Sequence, residues 1–367
     1  MDVTVNAGDF TRELAAVLPA CSENSPVVVF GSVLLRGEGN ELRISCNNMK
    51  ISIRSQIEGR CWAEGQALIP AKQLHAYVSL LPASADLSIR LLENFWIALR
   101  CGRSAAKLNG IDPAFAPKRA EMTGAYSLGS APAAIVAQAF QRAYVSTTKE
   151  ETNFSLRCGE LKVDGCRATL RSSDGHRLSI VHYTLNSDVK PTCVLVPRKA
   201  LKVFPELSEG RLDANITATD DHIFLSVGCR TLIASREYGG FPNFEAVIKT
   251  CGHSIDALFG VEELRGALSR AALFTTVSRM VRIEFDGLVA TIRTADEDGQ
   301  AVTEEVTLER AVEPMTIGFN SKLLLDFLEQ AERPRVEFQL AAADKAGMLI
   351  PAGDAANFQY VVMPMRS

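Results

Sequence analysis

The sequence predicts an α+β fold made of three similar domains, each placing two helices on one side of antiparallel strands. Three observations carry this: a long internal repeat, an amphipathic helical pattern at the head of each copy, and short strand-like runs bounded by turn residues. Ile69-Pro70-Ala71-Lys72-Gln73-Leu74 recurs as Val196-Pro197-Arg198-Lys199-Ala200-Leu201, and Arg103-Ser104 recurs as Arg230-Thr231 at the same offset. A third copy of the hexapeptide stands at Phe319-Asn320-Ser321-Lys322-Leu323-Leu324. A period this long is domain-sized rather than that of a solenoid.

The first copy opens with Phe10, Leu14 and Val17 at helical spacing behind Asp9 as N-cap. The second opens with Ile135, Ala139 and Phe140. The third has Leu264, Ala267, Leu268 and Ala271, with Glu262 and Glu263 favouring the positive helix start. Strand character falls on 27–30 with 33–35, then 42–46, 51–53, 87–91, 95–99, 223–227, 281–285 and 336–340. The pattern lapses at 119–124 and at Lys249-Thr250-Cys251-Gly252, which sets domains of 1–122, 123–250 and 251–367. Neither lapse is long enough for a flexible linker, so rigid docking is expected.

With 47% hydrophobic and 22% charged residues, the 367-residue chain has globular composition. A net charge of −4 excludes coating of nucleic acid by bulk positive charge, so any DNA contact needs a local concentration of bases. The nine cysteines are scattered without a Cys-x-x-Cys, which leaves no zinc site or disulfide framework legible. There is no secretory pattern at the start and no apolar run of about 18 residues, so a reduced, cytoplasmic protein is expected. The run Tyr360-Val361-Val362-Met363-Pro364-Met365-Arg366 is unusually apolar for a chain end and reads as a last strand, a binding surface, or both.

Catalytic patterns are absent: there is no phosphate-binding loop, no His-Glu-x-x-His and no Gly-x-Ser-x-Gly. The five histidines lack metal spacing, and Cys251-Gly252-His253 sits at a predicted boundary. The helix opened by the repeated hexapeptide is more informative. A 100° step gathers Arg198, Lys199 and Lys202 away from Ala200, Leu201 and Phe204. Lys72, beside His75, and Lys322 occupy the matching helices, and Arg12, Arg142, Lys149 and Arg265 come from the other helix of each repeat. Singly, such charges are a solvated face. Recurring in all three copies of an acidic protein, they suit a phosphate backbone read without sequence preference. Ser173-Asp174-Gly175-His176-Arg177-Leu178 is a turn signal, and Phe241-Pro242-Asn243-Phe244 is a loop with its phenylalanines packed inward.

Taken together, the Asp174–Leu178 turn, the Gly-x-Phe-Pro turn at Gly239 to Pro242, the Phe319-Asn320 helix start and the terminal heptapeptide resemble, in this order, the beta sliding clamps of bacterial DNA polymerase III. The resemblance covers the whole chain. It implies a head-to-tail homodimeric ring around double-stranded DNA, with helices lining the hole, sheets outside, and no catalytic activity or cofactor. A clamp loader and DNA polymerases would bind through short linear peptides. By resemblance, the peptide pocket comprises Ser173, Gly175, His176, Arg177, Leu178, Pro242, Val247, Asn320, Leu323, Val361, Val362, Met363, Pro364, Met365 and Arg366. Arg103, Ala106, Leu273 and Phe274 fall at the dimer contact. The chain departs from the family at Ala246, where a basic residue is common, at Ala105-Ala106, where a bulky aromatic is common, and at Ser367, where leucine is common. These departures keep open a divergent paralogue serving one specialised polymerase. A reading from another class is an enzyme using His176 with Asp174.

Overall fold

The computed structural model describes residues 1–22, 25–150, 155–208, 212–251, 254–275, 279–295 and 300–365. The first repeat runs β1 (Asp2–Asn6), α1 (Ala7–Val17), β2 (Ser32–Glu38), β3 (Glu41–Asn47), β4 (Ile51–Glu58), β5 (Arg60–Ala63), β6 (Gly65–Pro70), α2 (Ala71–Val78), β7 (Asp86–Leu91), β8 (Trp96–Cys101) and β9 (Ser104–Asn109). The second runs β10 (Tyr126–Pro132), α3 (Ala133–Tyr144), β11 (Cys158–Ser173), β12 (Arg177–Pro197), α4 (Arg198–Leu207), β13 (Asp213–Ala218), β14 (His222–Val227) and β15 (Arg230–Ser235), followed by the short α5 (Glu245–Thr250). The third runs β16 (Ile255–Gly260), α6 (Val261–Ala272), β17 (Met280–Ala295), β18 (Ala301–Asn320), α7 (Ser321–Leu328), β19 (Arg335–Leu340), β20 (Gly347–Pro351) and β21 (Phe358–Val362). The α+β expectation therefore holds, with two longer helices in each repeat.

The strands form three sheets, ordered β5-β1-β7-β8-β9, β10-β13-β14-β15-β4-β3-β2-β6 and β11-β12-β21-β20-β19-β16-β18-β17. Each of the larger two joins strands of neighbouring repeats. One seam is β15 on β4, from Thr231 opposite Arg54 to Ala234 opposite Ile51. The other is β12 on β21, from Arg177 opposite Val362 to Val181 opposite Phe358. Because sheets continue through the repeat boundaries, the chain packs as two compact units: Met1–Ala137 with Asn186–Val189 and Lys202–Arg236, and Gln138–Leu185 with Lys190–Leu201 and Glu237–Ser367.

Three local expectations change. Asn6, not Asp9, caps α1, accepting from the Asp9 amide at 3.0 Å, while Asp9 sits in the first turn and pairs with Arg12 at 3.0 Å. Residues Val28–Gly31 form a 3-10 turn where a strand was expected; Pro26 just before it supplies no amide to a ladder. In α3 the buried positions include Val136, Ala139, Phe140, Arg142 and Ala143, while Ile135 is exposed.

Beneath the β15–β4 seam lies a buried ion pair. Glu13, on the core face of α1, receives Arg230 Nε and Nη2 at 2.8 Å each and Ser55 Oγ at 2.6 Å. Arg230 also donates to the Leu207 carbonyl at 3.2 Å. Burial alone would raise the Glu13 pKa, but Arg230 and Ser55 outweigh it and bring it to about 2. The native state thus binds the Glu13 proton more weakly than the unfolded chain does. The stabilisation is complete above the ordinary carboxylate range and fades as pH falls through about 2. Glu13→Gln should cost roughly 2 to 3 kcal/mol at neutral pH. In urea titrations the gap between variant and parent should narrow from about pH 4.5 downward; a gap independent of pH would exclude this pair as its source.

Candidate partner-binding pocket

The turn after β11 is built from its own polar atoms. Ser173, fully buried, donates to the Arg177 carbonyl at 2.7 Å and accepts from the Gly175 amide at 3.1 Å. Asp174 Oδ1 accepts from the amides of His176 at 3.0 Å and Arg177 at 3.2 Å. Gly175 has φ +91°, where a side chain would be strained. This turn aims Arg177 into a polar knot. Its Nε meets Asp174 at 2.9 Å, and its Nη1 meets Asp326 at 2.6 Å and the Tyr360 hydroxyl at 3.1 Å. Tyr360, on β21, donates onward to the Leu323 carbonyl of α7 at 2.9 Å. Burial would lower the Arg177 pKa, but Tyr360, Asp326 and Asp174 outweigh it, so the guanidinium stays charged at any physiological pH. Burial pushes the Tyr360 phenol well above its usual value, which keeps it a neutral donor.

The terminal run is fastened on both sides. Met363 donates to the His176 carbonyl at 2.9 Å, and Met365 to the Gly318 carbonyl at 2.8 Å. A Cβ at Gly318 would stand 2.9 Å from the Met365 carbonyl oxygen, so glycine there admits the terminal strand. Val361 and Val362 are buried, Met363 is 41% exposed, and Pro364 and Met365 are half-buried. Beside them is an apolar cluster of Leu178, Ile180, Cys251, Ala346, Met348, Ile350 and Val361, against which Phe244, Val247 and Ile248 pack. Phe241 meets Phe244 edge-on at 5.7 Å.

The structure therefore brings Arg177, Leu178, Val247, Leu323, Val361, Met363 and their neighbours into one compact unit. Asn320 is the α7 N-cap, accepting from the Lys322 amide at 3.0 Å, and Pro242 is exposed on the approach to α5. Ser173 and Val362 shape the site from below rather than lining a surface. Arg366, with Ser367, Gly252 and His253, lies outside the described residues. Sequence reasoning passed over Asp326, Met348 and Ile350, while Phe244 packs inward as expected. Asp326 was legible in part, because it stands four residues after Lys322 on one helix and pairs with it at 2.9 Å. Both Asp174 oxygens serve the turn and Arg177, so Asp174 does not orient the exposed His176 as an enzyme would require.

The expected DNA-facing bases differ in exposure and pairing. Lys72, Lys149 and Lys202 are exposed, Lys149 lying beyond the end of α3 rather than on it. Arg12 is exposed and Arg265 half-buried, paired with Asp9 and Glu262, and the exposed Lys322 is paired with Asp326. Arg198 and Lys199 are half-buried, with Arg198 stacked over the Tyr144 ring at 4.2 Å. Arg142 is a correction. It is 4% exposed, 3.5 Å from Asp354 and 4.5 Å over the Phe358 ring, so it works inside its unit and not on a surface. At the expected dimer contact, Arg103 is exposed at the β8–β9 turn and Ala106 lies on the edge strand β9. Leu273, just past α6, is 80% exposed, and Phe274 beside it is half-buried.

The fold is that of the DNA clamps. A crystal structure of the DNA polymerase III subunit beta from Pseudomonas aeruginosa superposes with a TM-score of 0.92 at 24% identity, and a DNA polymerase sliding clamp from Bacillus subtilis with 0.93 at 17%. This chain is covered completely in both, with 100% and 99% of the other chain. Residues 1–118 match the family model for the N-terminal domain of the DNA polymerase III beta subunit, and residues 252–366 that for its C-terminal domain. The beta sliding clamp of Vibrio cholerae serotype O1 is 26% identical over the full length of both chains. The chain belongs to the DNA polymerase III beta subunit family.

Tyr360→Phe removes the hydroxyl that bridges Arg177 and the Leu323 carbonyl, leaving a half-buried acceptor unpaired. Stability should fall by about 1 to 3 kcal/mol with the urea m-value unchanged. An unaltered midpoint would show that the knot contributes nothing measurable.

Proposed function

We propose that this protein is a processivity clamp: a head-to-tail homodimeric ring of six domains, three per chain, that encircles double-stranded DNA and tethers polymerases and a clamp loader by short peptides. It has no catalytic role of its own and acts in the cytoplasm. The observation that supports the reading is the apolar cluster that joins Leu178 of the 173–178 turn, Val247 and Val361 of the terminal run, with the exposed Met363 two residues further along the chain. Methionine adapts to varied apolar side chains, which suits a surface serving several partners. One or two large anchors supply most of the affinity of such peptides.

Strand pairing supports ring closure. The last strand of the second repeat, β15, pairs with β4 of the first, and the last of the third, β21, pairs with β12 of the second. Its counterpart in the first repeat, β9, ends its sheet with an open edge. Among the described residues, β18 meets β16 only at Leu308, Thr307 gives its amide to Glu263, and residues 301–306 have no strand partner on that edge. A second copy offers the missing partner to each, and open edges invite such pairing. Arg103, Ala106, Leu273 and Phe274 would then lie at the contact. Arg12, Lys72, Lys149, Arg198, Lys199, Lys202, Arg265 and Lys322 remain the proposed DNA-facing bases. Exposed ion pairs such as Arg265 with Glu262 contribute only about 0 to 1 kcal/mol, so phosphate can take the carboxylate's place.

Native mass measurement should give about 80 kDa, twice the 39.8 kDa chain. Protein loaded on nicked circular DNA should be retained and should run off after linearisation; equal retention on both would point to ordinary groove binding. Met363→Ala with Met365→Ala should weaken binding of a polymerase-derived peptide by roughly tenfold or more while the dimer persists. Undiminished binding would remove the pocket assignment.

A further inference from the structure

The opposite face of the sheet at the β15–β4 seam carries a concentration of arginine that the clamp reading does not use. Strand register puts Leu34, Ser45, Arg54 and Thr231 in one cross-strand row, and Gln66, Arg36, Arg43 and Gln56 in the next. Side chains two residues apart share a face, so both rows look away from the core. Segment 111–120 crosses above them, tied by the Ile111 amide to the Leu68 carbonyl at 2.8 Å and by Arg54 Nη2 to the Ala120 carbonyl at 2.7 Å. This brings Arg119 over the sheet. The result is a cavity of about 260 Å³ lined by Arg36, Arg43, Arg54 and Arg119, with no aspartate or glutamate among its described lining residues.

The charges do not balance. Arg36 and Arg43 stand directly opposite each other, a destabilising arrangement for like charges. They share Glu38 at 3.3 and 3.2 Å, and Arg43 reaches Glu41 at 3.6 Å. Arg54 and Arg119 have no carboxylate partner among the described residues, and Arg54 donates only to a backbone carbonyl. Burial and then the charge of Arg119 push the Arg54 pKa down to about 10, so it remains charged at neutral pH. Four guanidiniums against two carboxylates leave two positive charges facing one cavity.

We propose that this cavity binds the phosphoryl dianion of a small phosphate monoester. A dianion matches the charge left over, and guanidinium forks suit phosphate oxygens. Gln56 and Gln66 flank the arginine row with neutral donors. The cavity exceeds a bare phosphate, and Leu34 and Met122 offer apolar surface to an organic group. The site goes beyond the clamp reading and does not depend on it, since its test involves neither DNA nor a polymerase.

The test is calorimetric titration of the full-length protein with deoxyadenosine monophosphate, inorganic phosphate and deoxyadenosine. The monophosphate should bind once per chain, inorganic phosphate should compete for the same site, and the nucleoside should give no saturable heat. Arg119 is exposed, so Arg119→Gln should fold normally and weaken the monophosphate by about tenfold. Arg119→Lys should recover part of that loss, and Arg54→Gln with Arg119→Gln should abolish binding. Absence of saturable binding by both phosphate probes overturns the proposal, as does equal binding by Arg119→Gln or by the nucleoside. Displacement of the monophosphate by an equimolar acidic peptide would reassign the surface to a polypeptide partner and also overturn it.

Discussion

The last strand of each repeat, β9, β15 and β21, has one edge that its own repeat leaves unpaired. Backbone amides and carbonyls must be satisfied, and a bare edge is a template for whatever strand comes next. β15 meets this demand on β4 and β21 meets it on β12. Both candidate binding sites are built at those two seams. The first sets Arg230 over Glu13 on the core side and Thr231 beside Arg54 on the other, which places a buried ion pair and an arginine-lined cavity on opposite faces of the same strands. The second seats Val361 beside Leu178 and Tyr360 within reach of Arg177, which assembles the candidate pocket.

Electrostatics divides along the same lines. Where arginine is buried, it is held by several partners at once: Arg230 by Glu13 and the Leu207 carbonyl, Arg177 by Asp174, Asp326 and Tyr360. Such groups shape the fold and are costly to disturb, because removing one partner leaves a buried charge. Arg12, Arg265 and Lys322 pair with carboxylates three or four residues away on their own helices and are held weakly. Arg142 shows why helical position alone does not sort the two kinds. It lies on the first helix of its repeat, as Arg12 and Arg265 do, yet Asp354 and Phe358 draw it inside.

Much of the fold was legible because it rests on local signals. The repeated hexapeptide marks the entry to α2, α4 and α7, and periodicity located the core faces of α1 and α6. Misplaced details were those in which a tertiary partner wins. Asn6 takes the cap from Asp9, residues 28–31 lack a ladder, and the third repeat's Met348 and Ile350 join an apolar cluster with Phe244 from the 241–248 segment. No spacing in the sequence announces a contact across that distance.

By itself the sequence determined the class of fold and the threefold repetition, because turn chemistry, helix periodicity and the terminal apolar run are properties of neighbouring residues. Only the tertiary structure decided which arginines are buried struts and which lie open, and that Asp326 and Tyr360 complete the Arg177 knot. Burial and ion pairing depend on which strand a sheet edge finds. That choice is made between residues far apart in the chain, where local pattern carries no information.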